Sequence, residues 1–90
     1  MLTYLVEFLG TFLFLSVIIA TNTPILIALA LLLVILLGGG ISGGHFNPAV
    51  SVMFWAKGAL TNTDLAGYIV AQVLAGLSAL TVYNYLFRRE

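Results

Sequence analysis

Asn47-Pro48-Ala49 is the point in the chain where residue types and spacing could do chemistry. Pro48 lacks a backbone N–H and has its φ fixed, so it suits the first position of a helix and disfavours helical geometry in the residue before it. Asn47 therefore falls at the N-cap. A helix from Pro48 to about Lys57 is about 15 Å long at 1.5 Å per residue, half the thickness of a ~30 Å hydrocarbon layer. It cannot cross a bilayer. If it enters one, it does so as a half-helix with its positive N-terminal end near the midplane. The glycine-rich stretch ahead of it, Gly38-Gly39-Gly40-Ile41-Ser42-Gly43-Gly44, supplies a return path. Irregular backbone at that depth is tolerated only where protein or a water-filled cavity satisfies it, so its carbonyls become acceptors beside the Asn47 donors. A single file of water needs both, and the positive helix end repels hydronium and other cations. The tripeptide alone is weak evidence, because an interfacial loop followed by a surface helix uses the same residues.

The elements that must position this site are apolar. Of the 90 residues, 62% are hydrophobic and 7% charged, too few polar side chains to clothe a soluble domain of this size. The composition predicts an integral, multi-pass, all-α membrane protein with a single domain, three spans and one short helix. The spans are expected over about residues 2–20, 25–40 and 65–87, with the re-entrant loop and half-helix over about residues 41–57. Thr21-Asn22-Thr23-Pro24 breaks the first two spans apart, Pro24 being suited to the first turn of the next helix. The second span is expected to continue into the glycines, although these hold a regular helix poorly, since each costs close to ~1 kcal/mol there. Asp64, or Thr63 beside it, is expected to cap the last span, and Arg88 with Arg89 to mark its far boundary. Gly67, Ala71 and Ala75 share one face of that span, a spacing that lets helices approach closely in lipid, although small residues are common in membrane helices anyway. The opening residues carry Glu7 and no Lys or Arg, so a retained span is expected rather than a cleaved secretory signal. A charge inside a span is costly and calls for an internal partner.

Several functions are excluded. The chain has no cysteine, zero formal net charge and no basic patch, which argues against thiolate chemistry and nucleic-acid binding. No nucleophile–base pair or paired carboxylates suggest an enzyme. His45 has no second ligand near it, so neither a metal nor another cofactor is expected.

Ser42-Gly43-Gly44-His45-Phe46-Asn47-Pro48-Ala49-Val50 resembles the first Asn-Pro-Ala loop of the aquaporin and glycerol-facilitator family. Glu7-Phe8-Leu9-Gly10-Thr11-Phe12 is similar to the family's opening of helix one, and Ala71-Gln72-Val73-Leu74-Ala75-Gly76 to its third-helix motif. Three motifs in the right order cover essentially the whole chain, and they correspond to the first half of the family's six-helix, two-loop architecture. The resemblance implies a channel for water and small neutral solutes such as glycerol. It makes Asn47 the water-orienting amide, and Pro48 and Ala49 the residues that dock two half-helices tip to tip. By the same resemblance Glu7 accepts hydrogen bonds from the loop backbone that Gly43 and Gly44 open. Gln72 supports loop or pore geometry, or merely satisfies a neighbouring helix. His45 lines the pore wall or anchors the loop. Val50 stands in the one loop present, where the family's second loop has an arginine. Gapless alignment backwards from Asn47 brings Ile27 to a position that is a bulky aromatic in many members. That combination implies a less polar, less tightly gated filter.

Three spans and a half-helix cannot enclose a hole, and the family's halves are inverted repeats. The N-terminal amine and Lys57 fall on one face and Arg88 with Arg89 on the other, a near balance that leaves the positive-inside rule little to act on. The expectation is therefore dual topology and an antiparallel homodimer, with a tetramer of such pores implied only by resemblance. A separately encoded complementary half is the alternative partner. A small structural or holin-like membrane protein is the alternative function.

Overall fold

The computed structural model describes residues 1–87, and the expected boundary at Arg88 and Arg89 lies outside them. Four helices follow one another: α1 (Leu2–Thr21), α2 (Pro24–Ser42), α3 (Pro48–Ala56) and α4 (Asn62–Phe87). At 1.5 Å per residue, α1 and α2 are each about 30 Å long and α3 about half that. Helices α1, α2 and α4 are long and apolar enough to cross a membrane. α1 is the central element, packed against both α2 and α4, while α3 lies against α4.

The first boundary follows the local chemistry. Asn22 closes α1 in the left-handed conformation with φ 47°, and Pro24 occupies the first position of α2. Two boundaries differ from the sequence expectation. α2 runs through Gly38, Gly39 and Gly40, within its expected extent, and ends two residues beyond it at Ser42. Helix propensity is overridden there because an apolar surrounding leaves each backbone group to bond within its own helix. Room also matters: a Cβ on Gly38 would lie 2.7 Å from Val6 Cγ1, so glycine is what lets α1 approach. α4 begins at Asn62, ahead of the expected cap, and Thr61 Oγ1 accepts the Asp64 N–H at 3.0 Å. Thr61, not Thr63 or Asp64, is the capping side chain. Asp64 sits in the first turn, where its charge complements the helix dipole.

The small-residue face of α4 is its contact with α1. Ala71 and Ala75 are buried, and a Cβ on Gly67 would lie 2.6 Å from Tyr4 Cζ. The same junction is closed by the Tyr4 hydroxyl, which donates to Asp64 Oδ1 at 2.6 Å. At the turn between α3 and α4, Trp55 Nε1 donates to Asn62 Oδ1 at 2.6 Å.

Candidate functional site

Five residues, 43–47, carry the chain from the end of α2 to the start of α3. Gly43 (φ 90°) and Gly44 (φ 68°) lie in the left-handed region, where any side chain is strained. Phe46 follows at φ 50°, an unusual conformation for a bulky residue. Asn47 then extends (φ −160°, ψ 125°), and its Oδ1 accepts the Ala49 N–H at 2.8 Å. This cap fixes the polarity of the amide: the oxygen is engaged with the helix, and the NH2 group is left as a pair of outward donors. No donor among the described residues reaches the carbonyls of Gly43, Gly44 or His45. Donors and acceptors thus adjoin one another at the loop.

A cavity of about 200 Å³ borders Asn47 and is lined also by Phe14, Leu31, Ile35, His45 and Val50. Phe14 belongs to the middle of α1 and Leu31 to the middle of α2. The N-terminus of α3 is therefore level with the centres of two helices long enough to span a bilayer. The wall opposite the loop is apolar, so a molecule in the cavity finds its hydrogen bonds on one side only.

Beneath the loop lies a closed polar cluster. Glu7 Oε2 accepts from Ser42 Oγ at 2.7 Å and His45 N–H at 3.0 Å, while Oε1 accepts from Phe46 N–H at 2.8 Å and Gln72 Nε2 at 3.0 Å. The two oxygens accept four hydrogen bonds, an arrangement suited to the ionised carboxylate. Gln72 Nε2 donates its other hydrogen to Ser51 Oγ at 3.0 Å, and Ser51 Oγ is 2.9 Å from His45 Nδ1. Ser51 accepts from Gln72, so its own hydrogen is available to the imidazole. The His45 ring stacks on Phe54 with centroids 4.9 Å apart. Tyr68 donates its hydroxyl to the Ser42 carbonyl at 2.6 Å and so ties α4 to the end of α2. Glu7, Ser42, Ser51, Gln72 and Tyr68 are all buried. Two buried oxygens, Thr11 Oγ1 and Gln72 Oε1, take no hydrogen bond from the described residues.

The structure brings Glu7, Gly43, Gly44, His45, Asn47, Pro48, Ala49, Val50 and Gln72 into one region. Ile27 stands apart: it lies one turn before Leu31, toward the start of α2, and does not border the Asn47 cavity. Ser51 and Tyr68 were not anticipated from sequence. Ser51 had a signal, being the lone hydroxyl in the apolar run from Val50 to Trp55.

The family profile described as Major intrinsic protein matches residues 1–90. The chain belongs to the major intrinsic protein family. It is similar to glycerol uptake facilitator protein-like 6 of Lactiplantibacillus plantarum, 41% identical over 85 residues that cover 84% of this chain and 39% of that protein. It is also similar to aquaglyceroporin AqpS of Rhizobium meliloti, 41% identical over 66 residues covering 73% of this chain and 28% of the relative. Aquaporin Z of Brucella melitensis is 54% identical over 44 residues, 49% of this chain and 19% of that protein. The chain thus spans well under half the length of the curated relatives it matches. No solved structure gives a significant match. Membership of the major intrinsic protein family and three span-length apolar helices make this an integral, multi-pass, all-α membrane protein.

Proposed function

We propose that the chain forms one wall of a passive channel for water and small neutral solutes such as glycerol, closed by a second unit of the same kind in inverted orientation. The observation that carries this reading is the depth and polarity of Asn47. Its two amide hydrogens are left over from the helix cap, and the residue borders a cavity between the centres of two span-length helices. In a bilayer α3 is then a re-entrant half-helix, and its positive end presents donors to passing oxygen atoms while turning cations away.

Pairing is needed because the tip is bare. Asn47, Pro48 and Ala49 are exposed, and a polar helix end facing lipid at mid-depth is costly. A second copy of this chain, or a complementary half, closes the wall by docking its own half-helix against Pro48 and Ala49. Val50 and Ile27 give the wall no fixed cation, so glycerol is expected to pass as well as water. The relatives named for glycerol uptake and for aquaglyceroporin activity support that breadth.

Stopped-flow shrinkage of proteoliposomes holding the purified chain tests the proposal. Water permeability should exceed that of empty vesicles at least about tenfold, a barrier difference of ~1.4 kcal/mol. Asn47→Ala should return it close to the empty-vesicle value. Equal permeability of wild type and variant would sink the role of the amide. Mapping both termini by accessibility labelling tests the partner: one fixed orientation rules out the antiparallel homodimer.

A further inference from the structure

We infer that Phe46 is a positioning residue: its ring is keyed into a slot between α1 and α2 and sets where the neighbouring Asn47 amide stands. The inference rests on the channel reading above and assigns part of the channel's water conductance to the seating of the loop against α1.

The slot is built by glycines on three segments. A Cβ on Gly10 of α1 would overlap Phe46 Cε1 and lie 2.8 Å from both Cδ1 and Cζ. A Cβ on Gly38 of α2 would lie 3.3 Å from Phe46 Cζ, and one on Gly44 3.6 Å from Cε2. The ring therefore rests on the bare backbone of α1, and its exposure is only 2%. A single added methyl at Gly10 overlaps it outright, since carbon atoms do not approach that closely.

An aromatic tip elsewhere could swing aside, but this one is held at its root. The Phe46 N–H donates to Glu7 Oε1 at 2.8 Å, and the backbone is left-handed at φ 50°. A bulky residue persists in that conformation only when its surroundings over-determine it. Ring and backbone are thus fixed together, and Asn47 is the next residue along. Phe46 also borders two cavities, the Asn47 cavity of about 200 Å³ and a second of about 230 Å³ between α1 and α2 lined by Val6, Leu9, Val34 and Leu37. A displaced ring can move toward either cavity, and because Asn47 is the next residue either movement shifts the amide.

The test is a rescue. Gly10→Ala should reduce water permeability of the proteoliposomes at least about fivefold. Gly10→Ala combined with Phe46→Leu, which removes the overlapping ring edge, should restore it to within about twofold of Phe46→Leu alone. The side-chain amide ¹⁵N resonance of Asn47, read by solid-state NMR in the same membranes, should move in Gly10→Ala and return in the double variant. That resonance reports position whether or not the vesicles conduct, so it separates failure of this inference from failure of the channel reading. An unmoved resonance in Gly10→Ala, or a double variant no closer to wild type than Gly10→Ala, overturns the inference.

Discussion

Two regions a few residues apart obey opposite rules. The cluster beneath the loop is sealed: Glu7 accepts four hydrogen bonds from α2, the loop and α4, and every donor in that set is committed within the chain. The tip of the loop, by contrast, leaves the amide hydrogens of Asn47 uncommitted and the Pro48-Ala49 step exposed. A buried charge in an apolar surrounding persists only when its partners surround it. An open donor at the same level is stable only if something mobile and polar comes to it. The sealed cluster stabilises the irregular backbone and leaves the tip with uncommitted donors, as the proposed channel requires.

Three substitutions sharpen this contrast. The largest effect is expected from Glu7→Ala, which strips four donors of their acceptor at once. Destabilisation of at least about 3 kcal/mol is expected, since each buried donor left without an acceptor costs about 1–3 kcal/mol. It should appear in denaturing-detergent titration of helix content, with conduction lost as the loop releases. Ser51→Ala comes next: it removes the acceptor for Gln72 Nε2 and the partner of His45 Nδ1 while leaving the Glu7 carboxylate in place. A cost of about 1–3 kcal/mol follows from the unsatisfied buried donor. Hydrogen exchange should quicken at residues 43–47, and a loop as protected as wild type would show that Ser51 is dispensable. The smallest stability effect belongs to Asn47→Ala, which loses only an N-cap, typically ~1 kcal/mol. The same substitution is expected to abolish water conduction. If it unfolds the protein as Glu7→Ala does, the division between supporting cluster and open tip fails.

The extent to which the sequence could be read varies by element. Hydropathy and the punctuation at Thr21-Asn22-Thr23-Pro24 and Pro48 were sufficient for three long helices and one short one, because length and Pro geometry are local properties. The span was expected to continue into Gly38 to Gly40 despite their poor propensity, and it does, but the reason for them was hidden: Gly38 gives room to Val6 on α1. Nothing within α2 reports that neighbour. Glu7 and Gln72 stood out as polar side chains in apolar spans, whereas the shared use of Ser51 by His45 and Gln72 spans three elements and was not legible. The cap of α4 was misplaced because Thr61, Thr63 and Asp64 are all good N-caps, and only the path of the turn chooses among them.

By itself, then, the order of residues determined an apolar, helical, membrane-spanning chain with a proline-started stub and its asparagine cap. Each of those depends on neighbours within a few positions. The tertiary structure alone decided which loop N–H groups Glu7 would take, those of residues 45 and 46, that Phe46 would seat against Gly10, and that Asn47 would lie level with Phe14 and Leu31. Those contacts join residues far apart in sequence, and their existence depends on how closely whole helices pack.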